Sequence, residues 1–194
     1  MKNVLVIGAT GSLGQTLRKE VANNCDYQLT LFSRTSEKLT LFSNEKAISG
    51  SVFDSKRLNE AISDQDIVFV ALSGDLPKMI REVVKAMKEQ SVKRMIFVSS
   101  IGIYDEIMGS GNLSNNPILE PYRKAADIVE ASELDYTILR PAWFDNQSDN
   151  VCQLSHKGEP VTGNTVSRKA IISKVREMID NPNQYQNDNI ALYR

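Results

Sequence analysis

Histidine, cysteine and tryptophan are scarce in this 194-residue chain, which holds one His, two Cys and one Trp. Cys25 and Cys152 are too few for a disulfide framework, and His156 alone leaves no His/Cys cluster to hold zinc. A reducing, cytoplasmic setting without a metal centre is therefore expected. No run approaches the roughly 18 consecutive apolar residues of a membrane-crossing helix. The apolar stretch at 1–8 is too short for a signal segment and runs straight into Gly and Ser, so it reads as structural. Neither sign of charge dominates, since 23 Lys plus Arg against 24 Asp plus Glu leave a formal charge of -1. That balance lacks the basic footprint of a general nucleic-acid binder and favours a small-molecule partner. Internal repeats, low-complexity tracts and long runs of like charge are missing too. At about 150 residues per domain, the length allows one domain with little left over.

What is present is a rhythm. Runs rich in Val, Ile, Leu and Phe at 4–7, 28–32, 47–52, 67–72, 94–99 and 136–139 are strand-sized. Between them apolar residues recur at helical spacing: Leu13, Leu17 and Val21; then Met79, Ile80, Val83, Val84 and Met87; and near the carboxyl end Ile171, Ile172, Val175, Met178 and Ile179. The methionines read as core filler. Strands apolar throughout, alternating with amphipathic helices, predict an α/β fold: a single domain over 1–194 with a doubly wound parallel sheet. Such a sheet binds ligands outside the carboxyl ends of its strands. Two segments, 105–121 and 145–164, break the rhythm on that side and are expected to be irregular substrate loops, candidates for a lid.

Residues 4–14 read Val-Leu-Val-Ile-Gly-Ala-Thr-Gly-Ser-Leu-Gly, a strand, a glycine turn and the start of a helix. Gly8 permits the tight turn, Gly11 lets the backbone approach a pyrophosphate, and Gly14 lets the helix pack closely on the strand. The anion sits on the N–H groups at the helix start, with Thr10, Ser12 and Leu13 in the same turn. The tip of the second run, Ser33-Arg34-Thr35-Ser36-Glu37-Lys38, begins with no carboxylate for a ribose 2′-hydroxyl. Arg34 offers a planar fork of donors, Ser33 and Thr35 add hydroxyls and Lys38 adds charge. This set suits a 2′-phosphate, so NADP(H) is preferred over NAD(H). The bland alternative has Arg34 and Lys38 as ordinary solvated charges and Ser36 as a cap. Asp54 reads as the cap of a helix starting at Ser55.

The spacing Gly-Ala-Thr-Gly-Ser-Leu-Gly resembles the short-chain dehydrogenase/reductase superfamily in its atypical branch. The likeness extends over Phe97-Val-Ser-Ser-Ile-Gly-Ile-Tyr104, over Lys124-Ala-Ala-Asp127 and over Leu134-Asp-Tyr-Thr-Ile-Leu-Arg-Pro141. In length and order the chain is similar to the biliverdin/flavin reductase type and to small NmrA-like NADP-binding proteins. The resemblance implies a Rossmann domain and NADP(H) binding, with a substrate site over the nicotinamide. It implies further cofactor contacts from Val52 and Phe53, from Ala71, Leu72 and Ser73, from Ser99 and Lys124, and from Pro141, Ala142 and Trp143. Trp143 or Phe144 could instead wall an aromatic substrate, or the sole Trp could anchor a lid against the core.

For catalysis the resemblance implies a serine, a tyrosine and a lysine, which fall on Ser100, Tyr122 and Lys124. The Tyr-x-x-x-Lys spacing of active members places its tyrosine at 120, where this chain has Glu120. Tyr122 reaches the site if the helix begins only near Arg123; otherwise Ser100 or water supplies the proton. A third possibility is a non-catalytic NADP(H) sensor of NmrA-like type acting through a protein partner. The leading expectation is an NADPH-dependent oxidoreductase passing hydride to a small carbonyl, quinone or flavin-like acceptor. It would be a monomer or homodimer, away from membranes and nucleic acid.

Overall fold

A computed structural model describes all 194 residues. The six expected apolar runs become β1 (Lys2–Ile7), β2 (Tyr27–Ser33), β3 (Glu45–Ser49), β4 (Ile67–Val70), β5 (Arg94–Val98) and β6 (Asp135–Pro141). They pair in parallel in the order β3-β2-β1-β4-β5-β6. The order reverses between β1 and β4, and the two strands stand side by side with Ile7 opposite Val70. Ile, Val and Phe make up β4, and all four of its residues are buried, as a central strand covered on both faces requires.

Helices α1 (Ser12–Glu20) and α5 (Arg168–Asp180) cover one face; α2 (Ser55–Ile62), α3 (Leu76–Glu89) and α4 (Glu120–Glu130) cover the other. The two hydrophobic clusters hold 27 and 25 buried residues, so the sheet is covered about equally on its two sides. In α3, Ile80, Val83, Val84 and Met87 point inward at the predicted spacing, and Met87 is core filler. Asp54 caps α2, its carboxylate accepting the Arg57 amide at 3.1 Å.

Four strands lie outside the expected set. β10 (Asp188–Tyr193) extends the sheet in parallel beside β6, and β8 (Gln153–His156) closes the edge antiparallel to β10. β7 (Trp143–Asp145) and β9 (Thr165–Ser167) form a separate parallel pair. The segment 145–164 is therefore not irregular throughout, because β8 runs through its middle. A strand of four residues that carries Gln, Ser and His has no apolar period to announce it, and it forms because β10 offers a free edge.

The segment 105–121 is stitched down. The Asp105 carboxylate accepts the Ser114 amide at 3.0 Å and its hydroxyl at 2.9 Å, and the Leu113 amide donates to Gly102 at 2.8 Å. Two short 3-10 turns, Gly109–Gly111 and Pro117–Leu119, fill the segment, and Glu120 and Pro121 already belong to α4.

Candidate functional site

The glycine turn sits where β1 delivers the chain to α1, at the carboxyl end of the sheet. Gly8 has φ +92°, a left-handed conformation that glycine alone adopts without penalty. Its amide donates to Phe32 at 3.0 Å, and the Gly11 amide donates back to Gly8 at 2.9 Å. A β-carbon on Gly14 would lie 2.5 Å from the Gly8 carbonyl, so this residue lets α1 press against the turn. Gly11 caps α1 with extended backbone; no side chain caps the helix and no acidic residue occupies its first turn. The first N–H groups of α1, bearing roughly half a positive charge, are thus left for an anion. Thr10, Gly11 and Ser12 are exposed around them, while Leu13 is buried and anchors the helix.

At the tip of β2 the Ser33 and Ser36 hydroxyls share a hydrogen bond of 2.8 Å, and Ser33 Oγ also accepts the Thr35 amide. Ser36 is buried and opens a one-turn 3-10 helix, Ser36–Lys38, so its hydroxyl is committed to the turn. Arg34, Thr35 and Lys38 are exposed, and neither cation forms an ion pair. Beyond β3, Val52 is buried and Phe53 is about half exposed. Ala71 and Leu72 are half-buried past β4, and Ser73 is exposed.

Past β5 the two serines part company. Ser99 Oγ donates to the Tyr122 carbonyl at 3.3 Å, which docks the first turn of α4 over the strand end. Ser100 Oγ donates to the Ile101 carbonyl at 3.1 Å. Because α4 starts at Glu120, Tyr122 lies inside its first turn, half-buried against the core, and is not part of a flexible loop end. Lys124 is exposed and ion-paired to Glu120 at 2.6 Å, an i,i+4 pair on the helix surface. The structure thus brings Ser99 to α4, while Lys124 engages Glu120 and Ser100 its own neighbour. Pro141, the last residue of β6, and Ala142 after it are buried, and Trp143 is 82% exposed, so this Trp does not anchor a lid to the core. Phe144 carries the Arg168 guanidinium on its ring at 4.8 Å. His156, on β8, is exposed and pairs with Asp188 at 2.9 Å.

Sequence reasoning passed over a buried ion pair. Arg140 on β6 is fully buried and bonds Glu106, whose side chain is 3% exposed. Glu106 also accepts the amides of Gly102 at 3.0 Å and Tyr104 at 2.8 Å. Arg140 Nε donates to Asn189 at 2.7 Å, and Asn189 donates to the Tyr104 hydroxyl and to Glu130, both at 2.8 Å. Burial, then the neighbouring Glu130 carboxylate, push the Tyr104 phenol well above its ordinary value. The Arg of Leu-Arg-Pro, directly after the buried Ile138 and Leu139, was the one available signal.

The profile of the family described as NAD(P)H-binding matches residues 8–182. The chain belongs to the NAD(P)H-binding family. A Rossmann-fold NAD(P)-binding family protein from Shigella flexneri is 36% identical and superposes with a TM-score of 0.89, covering 100% of this chain and 94% of that one. A short-chain dehydrogenase/reductase of the wide type from Veillonella parvula, solved with NADP, is 23% identical with a TM-score of 0.91 over the same shares. An anaerobillin reductase from Escherichia coli is 18% identical, with a TM-score of 0.86 over 99% of this chain and 97% of that one. At these two lower identities the likeness is one of fold. This NAD(P)H-binding protein thus shares its fold with short-chain dehydrogenases/reductases, and its glycine cradle and uncapped α1 fit the dinucleotide. None of its helices is long and apolar enough to cross a membrane.

Proposed function

We propose that this chain is an NADPH-dependent oxidoreductase acting on a small carbonyl, quinone or flavin-like acceptor. The observation that carries the cofactor preference is the tip of β2, where Arg34 and Lys38 stand exposed and unpaired and no carboxylate takes the strand end. The first N–H groups of α1 hold the pyrophosphate. The Arg34 fork, with the Ser33 and Thr35 hydroxyls, receives the 2′-phosphate. Val52 and Phe53 border the adenine, and the loop Ala71-Leu72-Ser73 flanks the dinucleotide. The Ala142 carbonyl, next to a Pro141 carbonyl and an Ala142 amide already bonded to Ile101 and Leu192, is left for the nicotinamide amide, and Lys124 reaches the ribose, exchanging Glu120 for it.

NADPH, when bound, supplies the hydride. Ser100 hydrogen-bonds the acceptor oxygen, and Ser100 or a water molecule gives that oxygen its proton, since Tyr122 is held inside the first turn of α4. Trp143 offers an exposed flat face to the acceptor. The protein acts in the cytoplasm as a monomer or homodimer, and the segments 105–121 and 145–164 border the substrate.

One observation favours a second reading. Glu120 takes the place of the superfamily's tyrosine and ties up Lys124, which suits a non-catalytic NADP(H)-responsive regulator of NmrA-like type working through a protein partner. A panel of quinones, flavins and aldehydes, followed by loss of NADPH absorbance, separates the two. Turnover of any of them supports the oxidoreductase. Tight NADP(H) binding by calorimetry with no turnover across the panel assigns the chain to the regulator reading.

A further inference from the structure

We propose that the buried Glu106–Arg140 pair is a positioning device that holds the turn directly after Ser99 and Ser100, and through it Ser100, in place at the nicotinamide site. This inference rests on the oxidoreductase reading. Ser99 and Ile101 continue the ladder of β5 by donating to Leu139 at 2.7 Å and to Pro141 at 3.2 Å. The chain then leaves the sheet through Gly102, whose φ is +86°. From there no ladder bond holds it, and the Glu106 carboxylate takes over, accepting the Gly102 and Tyr104 amides from within the same turn. A carboxylate reaching back to its own backbone in this way sets the path of the five residues after Ser99.

The charge of Glu106 is answered from the neighbouring strand by Arg140, which Asn189 on β10 holds in turn. The Tyr104 ring lies under the Arg140 guanidinium at 5.3 Å, and its hydroxyl closes the circuit by accepting from Asn189 and bonding Glu130. Stability alone does not account for this pair. Desolvating two charges cancels most of their attraction, and an apolar pair of similar volume gives equal or greater stability. What an ion pair provides, when each nitrogen of Arg140 and each carboxylate oxygen of Glu106 has a partner, is a single geometry. That geometry is delivered to the turn at the carboxyl end of β5, against Pro141, where the acceptor's oxygen is to be met.

Glu106→Asp tests the device, because it keeps the charge pair and shortens the reach to the two amides. The Gly102 and Tyr104 amides are expected to exchange hydrogen faster while those of β1 and β4 do not, and the NADPH dissociation constant is expected to hold. With the most active acceptor of the panel, kcat should fall about a hundredfold with little change in KM, the loss that follows a displacement of about 1 Å at a reacting centre. Faster exchange with unchanged kcat overturns the proposal and leaves the pair purely structural. Unchanged exchange also overturns it. Should the wild-type protein reduce no acceptor, the oxidoreductase reading fails separately. The device is then read from the fluorescence of bound NADPH, expected to change in the variant; an unchanged signal overturns it. Asn189→Ala, which releases Arg140 Nε, carries the same readouts if Glu106→Asp does not fold.

Discussion

The carbonyl oxygen of Ala71, just past β4, lies 2.1 Å from where a β-carbon on Gly8 would stand. Two neighbouring strands thus leave their parallel register at the same level, and the space between them admits backbone only. Gly8→Ala is expected to combine the strain of a positive φ with this clash, at about 2–5 kcal/mol. Urea unfolding measures the loss, and NADPH titration of whatever folds should show binding abolished. A variant of wild-type stability and affinity would mean that the turn is not the phosphate cradle.

Arg34 is the cheapest probe of cofactor choice. Arg34→Ala should weaken NADPH binding by about 1–3 kcal/mol, the range for losing a charge-assisted hydrogen bond, and hardly affect NADH. Calorimetric titration with both nucleotides decides; equal losses would remove Arg34 from the 2′-phosphate.

Tyr104 predicts a pH dependence with a definite sign. Burial and Glu130 raise its folded-state pKa above the unfolded value, so the neutral phenol contributes stability that is complete below about pH 10 and declines as pH rises above it. At neutral pH, Tyr104→Phe loses the bonds to Asn189 and Glu130 and should be less stable by about 1 kcal/mol. Above about pH 10 the wild type alone pays for ionisation, so the gap in urea midpoint should narrow. A gap constant across that range would show the hydroxyl to be solvated.

The two thiols should separate kinetically. Cys25 is exposed, whereas burial raises the Cys152 thiol and shields it. An aromatic disulfide reagent should react with one equivalent fast and one slowly in the native protein, and with two fast in denaturant. Two fast equivalents without denaturant would place Cys152 at the surface.

Asp54→Ala removes the acceptor for the Arg57 amide at the start of α2 and should cost about 1 kcal/mol in urea unfolding. Asp54→Asn, which keeps an acceptor, should recover most of that.

Much of the fold was legible because its signals are local. Six parallel strands announced themselves as runs rich in apolar residues, unbroken in Ile67-Val-Phe-Val70, and α3 by apolar residues three and four apart. The glycine turn was legible for the same reason: Gly8, Gly11 and Gly14 each answer a steric demand of the backbone within seven residues. β10, buried along Ile190-Ala-Leu-Tyr193, carried a comparable signal and was missed for its position after a polar turn. β7, β8 and β9 had no such signal, since strands of three or four residues exist only where another strand offers them hydrogen bonds.

By itself, then, the sequence determined what neighbouring residues can settle: the alternation of strand and helix, the glycine turn between β1 and α1 and the absence of a carboxylate at the tip of β2. Tertiary structure alone decided which residues distant in the chain meet. It set Ser99 against Tyr122, gave Lys124 to Glu120, and closed Glu106, Arg140 and Asn189 into one buried network across intervals of 34 and 49 residues. A buried charge must find its partner wherever the fold brings one, and no spacing along the chain encodes that meeting.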